Sequence, residues 1–175
     1  FMVALGASMA GSIRVGQHIG GMRPRAMRRA VVGTYLTATT FMLICALVFV
    51  LVPRALIGLY TPHAEIIELG STLLLVAAAF QLFDGGQVAG MSVLRGAGET
   101  RVPMLIAALG YWGIGLPVAW ALGFHFGLGA LGVWIGLSAG LAAVALLMVV
   151  RVRRVLWQRG VARLAEPEPA LNPVN

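Results

Sequence analysis

Five apolar runs occupy most of this 175-residue chain. They lie at about 1–19, 30–52, 66–94, 103–122 and 130–150. A helix of about 20 residues rises about 30 Å, the depth of a bilayer's hydrocarbon. In that medium each backbone N–H and C=O must find its partner within the chain, so such runs fold as helices. The prediction is therefore an all-α, polytopic membrane helix bundle of about five transmembrane helices. Composition agrees: 59% of residues are hydrophobic and 11% charged, against about 45–50% and about 25% in soluble domains. Small residues mark the helix contacts. Gly6, Ala7, Ser8, Ala10, Gly11 and Ser12 form one such face, and Gly132, Gly136 and Gly140 recur every fourth residue as a close-packing seam without chemical content.

Charge sets the expected orientation. The formal net charge is +7, and every basic residue counted there is an arginine. In a soluble protein this would suggest nucleic acid, but here the arginines sit between apolar spans, so no nucleic-acid partner is expected. Arg23, Arg25, Arg28 and Arg29 follow the first span, Arg95 and Arg101 the third, and Arg151, Arg153, Arg154, Arg159 and Arg163 the fifth. The opposite connections carry Arg54 with His63, Glu65, Glu68 and His125. By the positive-inside rule the arginine-rich side is cytoplasmic, and so is the carboxyl terminus. Residues 1–155 read as one partial transmembrane lobe. Residues 156–175 read as a cytoplasmic tail, first basic and membrane-associated, then proline-rich and disordered. The chain opens at Phe1 inside an apolar run without a basic leader, which is not a secretory signal. It is expected to start partway through a longer protein.

Local signals place the helix ends. Thr61 and Pro62 read as N-cap and first-turn proline with Glu65 in the positive first turn, and Thr100 with Pro103 repeats the pattern. Pro117 frees a backbone carbonyl, so a kink is expected near Ile114. Arg14, near the end of the first run, reads as an arginine reaching for the interface.

One carboxylate does not fit the pattern. Asp84 sits within the third apolar run, about 15 Å along the helix from Leu94. A charge at the bilayer centre costs about 2.5 to 17 kcal/mol depending on method, so such a residue marks a functional site by default. Gln81 and Gln87 lie three residues either side and share its helical face. Gly85 and Gly86 follow directly and give the helix freedom to bend. Tyr111 and Trp112 on the next span are possible aromatic neighbours for a cation. The alternative is an acid held in the interior by a neighbouring donor. No phosphate loop, HExxH or CxxC is present, and Asp84 has no acidic or histidine partner within the spans. His18, His63 and His125 are scattered, which predicts no metal site. The chain is therefore not expected to be an enzyme, and no cofactor is implied.

The segment FQLFDGGQVAGMSVLRGAGETRVPMLIAALGYWGIGLPVAWALGF, continued by GLGALGVWIGLSAGLAAVALL, resembles the last three helices of multidrug and toxic compound extrusion (MATE) transporters. The opening SMAGSIRVGQHIGG is similar to the RVG motif of that family's eighth helix. DGGQ around Asp84 points to the NorM-type bacterial branch. The resemblance implies a fragment, helices 8 to 12, of a twelve-helix, two-lobe transporter in the bacterial inner membrane. It implies expulsion of drugs or organic cations in exchange for Na⁺ or H⁺, with Asp84 as the coupling residue. It also implies the lipid bilayer and an N-terminal lobe of the same chain as partners.

Two departures stand out. The acid that the pattern places on the seventh helix is absent from this sequence, and the aromatic hydroxyl one turn before the tenth-helix acid is replaced by Phe80. Other readings are a flippase of lipid-linked oligosaccharides from the same superfamily, or a non-transporting membrane subunit. A flippase would need a cationic cavity for pyrophosphate, whereas the one charge at mid-membrane depth is negative.

Overall fold

The computed structural model describes residues 1–161, with the side chains of Trp157 and residues 159–161 excepted. Most of the expected disordered tail lies outside the described residues. The helices are α1 (Met2–Gly20), α2 (Pro24–Leu51), α3 (Pro53–Gly58), α4 (Ala64–Gly96), α5 (Arg101–Ala108), α6 (Leu116–Trp120) and α7 (Gly129–Val161). π-helical stretches at Leu109–Gly115 and Ala121–His125 join α5 and α6 into one rod from Arg101 to His125. Among the described residues no strand occurs.

Four of these elements are long and apolar enough to cross a membrane: α2, α4, the Arg101–His125 rod and α7 up to Leu156. The first expected span, α1, is not among them. At 19 residues it extends about 28 Å, but Ser8, Ser12, Arg14, Gln17 and His18 lower its hydropathy. It still packs against both α2 and α4. The remaining runs are longer than expected, because apolar periodicity ends before the helix does. Arginines continue α2 backward to Pro24 and α7 forward to Val161.

The helix-end signals fared unevenly. Thr100 is the N-cap of α5 as expected, but α4 begins two residues later than expected, with His63 instead of Thr61 as N-cap and Glu65 still in the first turn. Thr61 instead accepts a 3.3 Å bond from the His63 amide through its hydroxyl, folding the connection back on itself. Where a kink was expected near Ile114, the helix instead continues through the Leu109–Gly115 π-stretch. Pro117 has no N–H to complete the α ladder, and a locally wider helix absorbs the mismatch.

The glycine seam is where the bundle closes. A β-carbon on Gly136 would strike the Ala119 backbone, one on Gly132 would lie 2.5 Å from the Leu122 carbonyl, and one on Gly140 would lie 2.5 Å from the Gly115 Cα. Backbone therefore meets backbone along the α7 face, as small residues allow. At the other seam α1 meets α4, where a β-carbon on Gly96 would strike the Ser12 carbonyl.

The main buried cluster joins Val15 of α1, Met27 and Val31 of α2, Val93 and Leu94 of α4, and Val144, Met148 and Val152 of α7. It lies where the arginine-bearing connections gather. There α4 closes on Gly98, whose φ of +81° suits glycine, and the Glu99 amide bonds the Leu94 carbonyl at 2.8 Å. Glu99 then receives two bonds of 2.8 Å from Arg151 Nε and Nη2 of α7. This forked pair clamps the α4–α5 connection to the end of the last span.

Gly136→Val in the complete protein should destabilise the bundle by about 1–3 kcal/mol, whereas Gly86→Ala, at a position with open space around it, should leave the melting temperature unchanged. Thermal unfolding in detergent checks this, and equal effects at the two positions would contradict the seam.

Candidate functional site

Gln81, Asp84 and Gln87 stand one turn apart on α4, and the structure keeps all three at least half-buried. The helix is held closely there. A β-carbon on Gly85 would come within 3.0 Å of Met42 Cγ and 3.4 Å of the Ala38 carbonyl on α2. Gly85 thus serves close packing, while Gly86 makes no such contact.

Gln87 is 8% exposed, and its Oε1 accepts a 2.8 Å bond from the Tyr111 hydroxyl. Tyr111 lies on the π-stretch after α5, and Asp84 is near enough to interact with it electrostatically. The Gln81 Nε2 is enclosed and has no hydrogen-bond partner among the described residues. The arrangement is a half-buried carboxylate with one amide unsatisfied on one side and an amide–phenol pair on the other. Such a set offers oxygen atoms and one anionic charge to a cation, and a carboxylate to a proton.

The structure joins Tyr111 to this face but leaves Trp112 outside it. The Trp112 side chain is 75% exposed, pointing away from the bundle. Phe80, where the family pattern has an aromatic hydroxyl, stacks edge-on against Trp134 of α7 with centroids 5.9 Å apart. Tyr111 supplies a phenol to the Asp84 face from the neighbouring span. Sequence reasoning named Tyr111 for its ring and missed its hydroxyl. The signal was depth: Gln87 lies nine residues before the end of α4, and Tyr111 ten after the start of α5. At 1.5 Å per residue both sit about 14 Å from the same connection. The Glu99–Arg151 clamp was missed for want of any such register. Among the described residues no three of His, Cys, Asp or Glu come together as a metal site.

With this geometry in view, the family model MatE matches residues 1–121. The chain belongs to the MatE family. It is 42% identical over 161 residues to the probable multidrug resistance protein NorM of Brucella suis, covering 89% of this chain and 34% of that protein. It is 46% identical over 156 residues to the multidrug resistance protein NorM of Burkholderia vietnamiensis, covering 86% and 34%. The chain thus spans about a third of the length of the curated relatives it matches. The eukaryotic MATE transporter AtDTX14 superposes with a TM-score of 0.80 at 24% identity, over 93% of this chain and 37% of that one. An inward-facing MATE family transporter of the MOP superfamily gives 0.80 at 18% identity, over 90% and 37%. These two likenesses establish the fold. The NorM-type resemblance and the all-α membrane architecture read from the sequence are borne out, and MatE proteins are transporters and not enzymes.

Tyr111→Phe leaves the buried Gln87 carbonyl oxygen without its donor and should cost about 1–3 kcal/mol, whereas Trp112→Phe should cost little. Chemical denaturation of the complete MatE protein in detergent measures both; an unperturbed Tyr111→Phe protein would remove the pair from the site.

Proposed function

We propose that this chain supplies helices 8 to 12 of a two-lobe antiporter that expels drugs or small organic cations in exchange for Na⁺ or H⁺. Asp84 is the coupling carboxylate. The observation that carries this reading is a single half-buried carboxylate within α4, flanked by the enclosed, unpartnered Gln81 amide and the Gln87–Tyr111 pair. Placing a charge there is costly, and no arginine in the described residues pairs with it. The names of the NorM relatives support drug export. The negative sign of the site supports cationic cargo over a pyrophosphate-linked lipid.

The exchange works by exclusion. A carboxylate that holds a proton or a Na⁺ has no net charge to offer, so an organic cation binds only after that ion leaves. Release of one ligand on arrival of the other couples the two fluxes. The Gln87 and Gln81 amide oxygens add neutral ligands for a hard cation, which favours several oxygens. The N-terminal lobe of the longer protein completes the cavity wall, and no cofactor takes part. The protein sits in the bacterial inner membrane, with the arginine-rich end of the bundle in the cytoplasm.

Asp84→Asn in the complete transporter keeps shape and removes charge. Normal membrane expression with efflux reduced to the level of a host lacking the pump is expected, and undiminished ion-driven efflux would reject the role. Orientation has its own check in a background without Cys45. Cysteines at Gly21, Thr100 and Arg153 should resist an impermeant thiol reagent outside intact cells while one at His63 reacts. The reverse pattern would invert the topology.

A further inference from the structure

The arginines within α1 and α2 do more than mark topology. A groove of about 480 Å³ runs between these helices, and Arg14, His18 and Arg29 line its polar end. Its floor is shut, because Gly11 of α1 packs directly on the Thr34 side chain, and the Thr34 hydroxyl is occupied by the Ala30 carbonyl at 2.8 Å. A second groove of about 510 Å³ adjoins it, sharing Arg29 and adding Arg25, Arg28, Val32 and Leu36.

Nothing within the described chain neutralises this charge. Glu99 is taken by Arg151, Glu65 lies in the first turn of α4 with Glu68 one turn on, and Asp84 is mid-helix. No ion pair among the described residues involves Arg14, His18 or Arg29. Arg14 is set six residues inside the end of α1, from where its long side chain reaches toward the interface. Val32 and Leu36, which line the second groove, are 50% and 62% exposed and give it an apolar border.

We propose that this paired groove is a binding site for an anionic phospholipid, with its phosphodiester on Arg14 and Arg29 and its acyl chains along Val32 and Leu36. Basic pockets between membrane helices on the cytoplasmic side have the chemistry that holds acidic headgroups. Arginine suits the task because its planar fork bonds phosphate oxygens in pairs. The small residues Ala7, Ala10, Ala26 and Gly33 in the groove wall leave room for the headgroup to approach. Free phosphate shares the headgroup chemistry but would make no use of the apolar border, which is why a lipid is the occupant. This inference rests on the membrane-embedded bundle and not on cation exchange, so either can fail alone.

The test reconstitutes the complete transporter in nanodiscs of phosphatidylcholine with or without phosphatidylglycerol and counts retained lipid by native mass spectrometry. Preferential retention of one phosphatidylglycerol per copy is expected. Arg14→Gln with Arg29→Gln should weaken it about 30-fold. Arg14→Lys with Arg29→Lys should fall between that and the wild type, since charge is kept and the paired bonds are lost, and Arg153→Gln with Arg154→Gln should leave it unchanged. No preference for phosphatidylglycerol in the wild-type protein would overturn the proposal, as would equal loss in the Arg153/Arg154 pair. Displacement of the lipid by inorganic phosphate would make this a phosphate site and overturn it too.

Discussion

Backbone contact between α7 and the Arg101–His125 rod is the constraint on which the rest of the bundle depends. Gly132, Gly136 and Gly140 present no side chains, so Leu122, Ala119 and Gly115 come up against bare helix. Lipid tails are as apolar as leucine, so there is no hydrophobic gain in bringing two helices together; dense packing must supply it. One added β-carbon at Gly136 would push the rod outward. Tyr111 sits at the start of this contact, beside Gly110, which itself packs on Val144 of α7. The hydroxyl reaches Gln87 only while that approach is kept.

The same economy of side chains explains where polar groups are tolerated. Thr34, Thr37, Ser71, Thr72 and Ser138 return their hydroxyls to carbonyls four residues back, which satisfies them within their own helices. Glu99 and Arg151 satisfy each other at the arginine-rich end. A carboxylate has no such local remedy, and Asp84 stands apart from the described salt bridge. Its cost is carried by the fold, which is the physical reason to assign it a task. The family's expected hydroxyl at position 80 is missing, yet a phenol from the next span lies beside the same face. That phenol bonds the Gln87 side chain and comes from a different helix.

Much of the architecture was legible because hydrocarbon imposes a length and a composition on whatever crosses it. Four of the five spans, α2, α4, the Arg101–His125 rod and α7, follow from that rule, while the polar residues of α1 keep it below the same test. The glycine seam of α7 follows from small-residue packing. The polar face of Gln81, Asp84 and Gln87 was legible because helical spacing is independent of tertiary context. What escaped depends on other helices. The Thr61 hydroxyl accepts from the His63 amide before the helix begins, so the helix starts two residues beyond the expected cap. Arginine-rich sequence at the ends of α2 and α7 looked like loop, yet long side chains reach the interface while the backbone stays helical. Trp112 neighbours Tyr111 in the chain but faces away, because successive helical residues point in different directions around the axis. The Glu99–Arg151 pair spans 52 residues, and no local pattern announces it.

Mutually exclusive occupancy of Asp84 is the central claim, and ligand competition tests it most directly. Equilibrium binding of a fluorescent organic cation to the complete, detergent-solubilised transporter is measured while pH is lowered and, separately, while Na⁺ is raised. Affinity should fall with at least one of the two, because the proton or Na⁺ takes the carboxylate that the cation needs, and the dependence should vanish in Asp84→Asn. Cation affinity that ignores both ions in the wild-type protein would contradict the account.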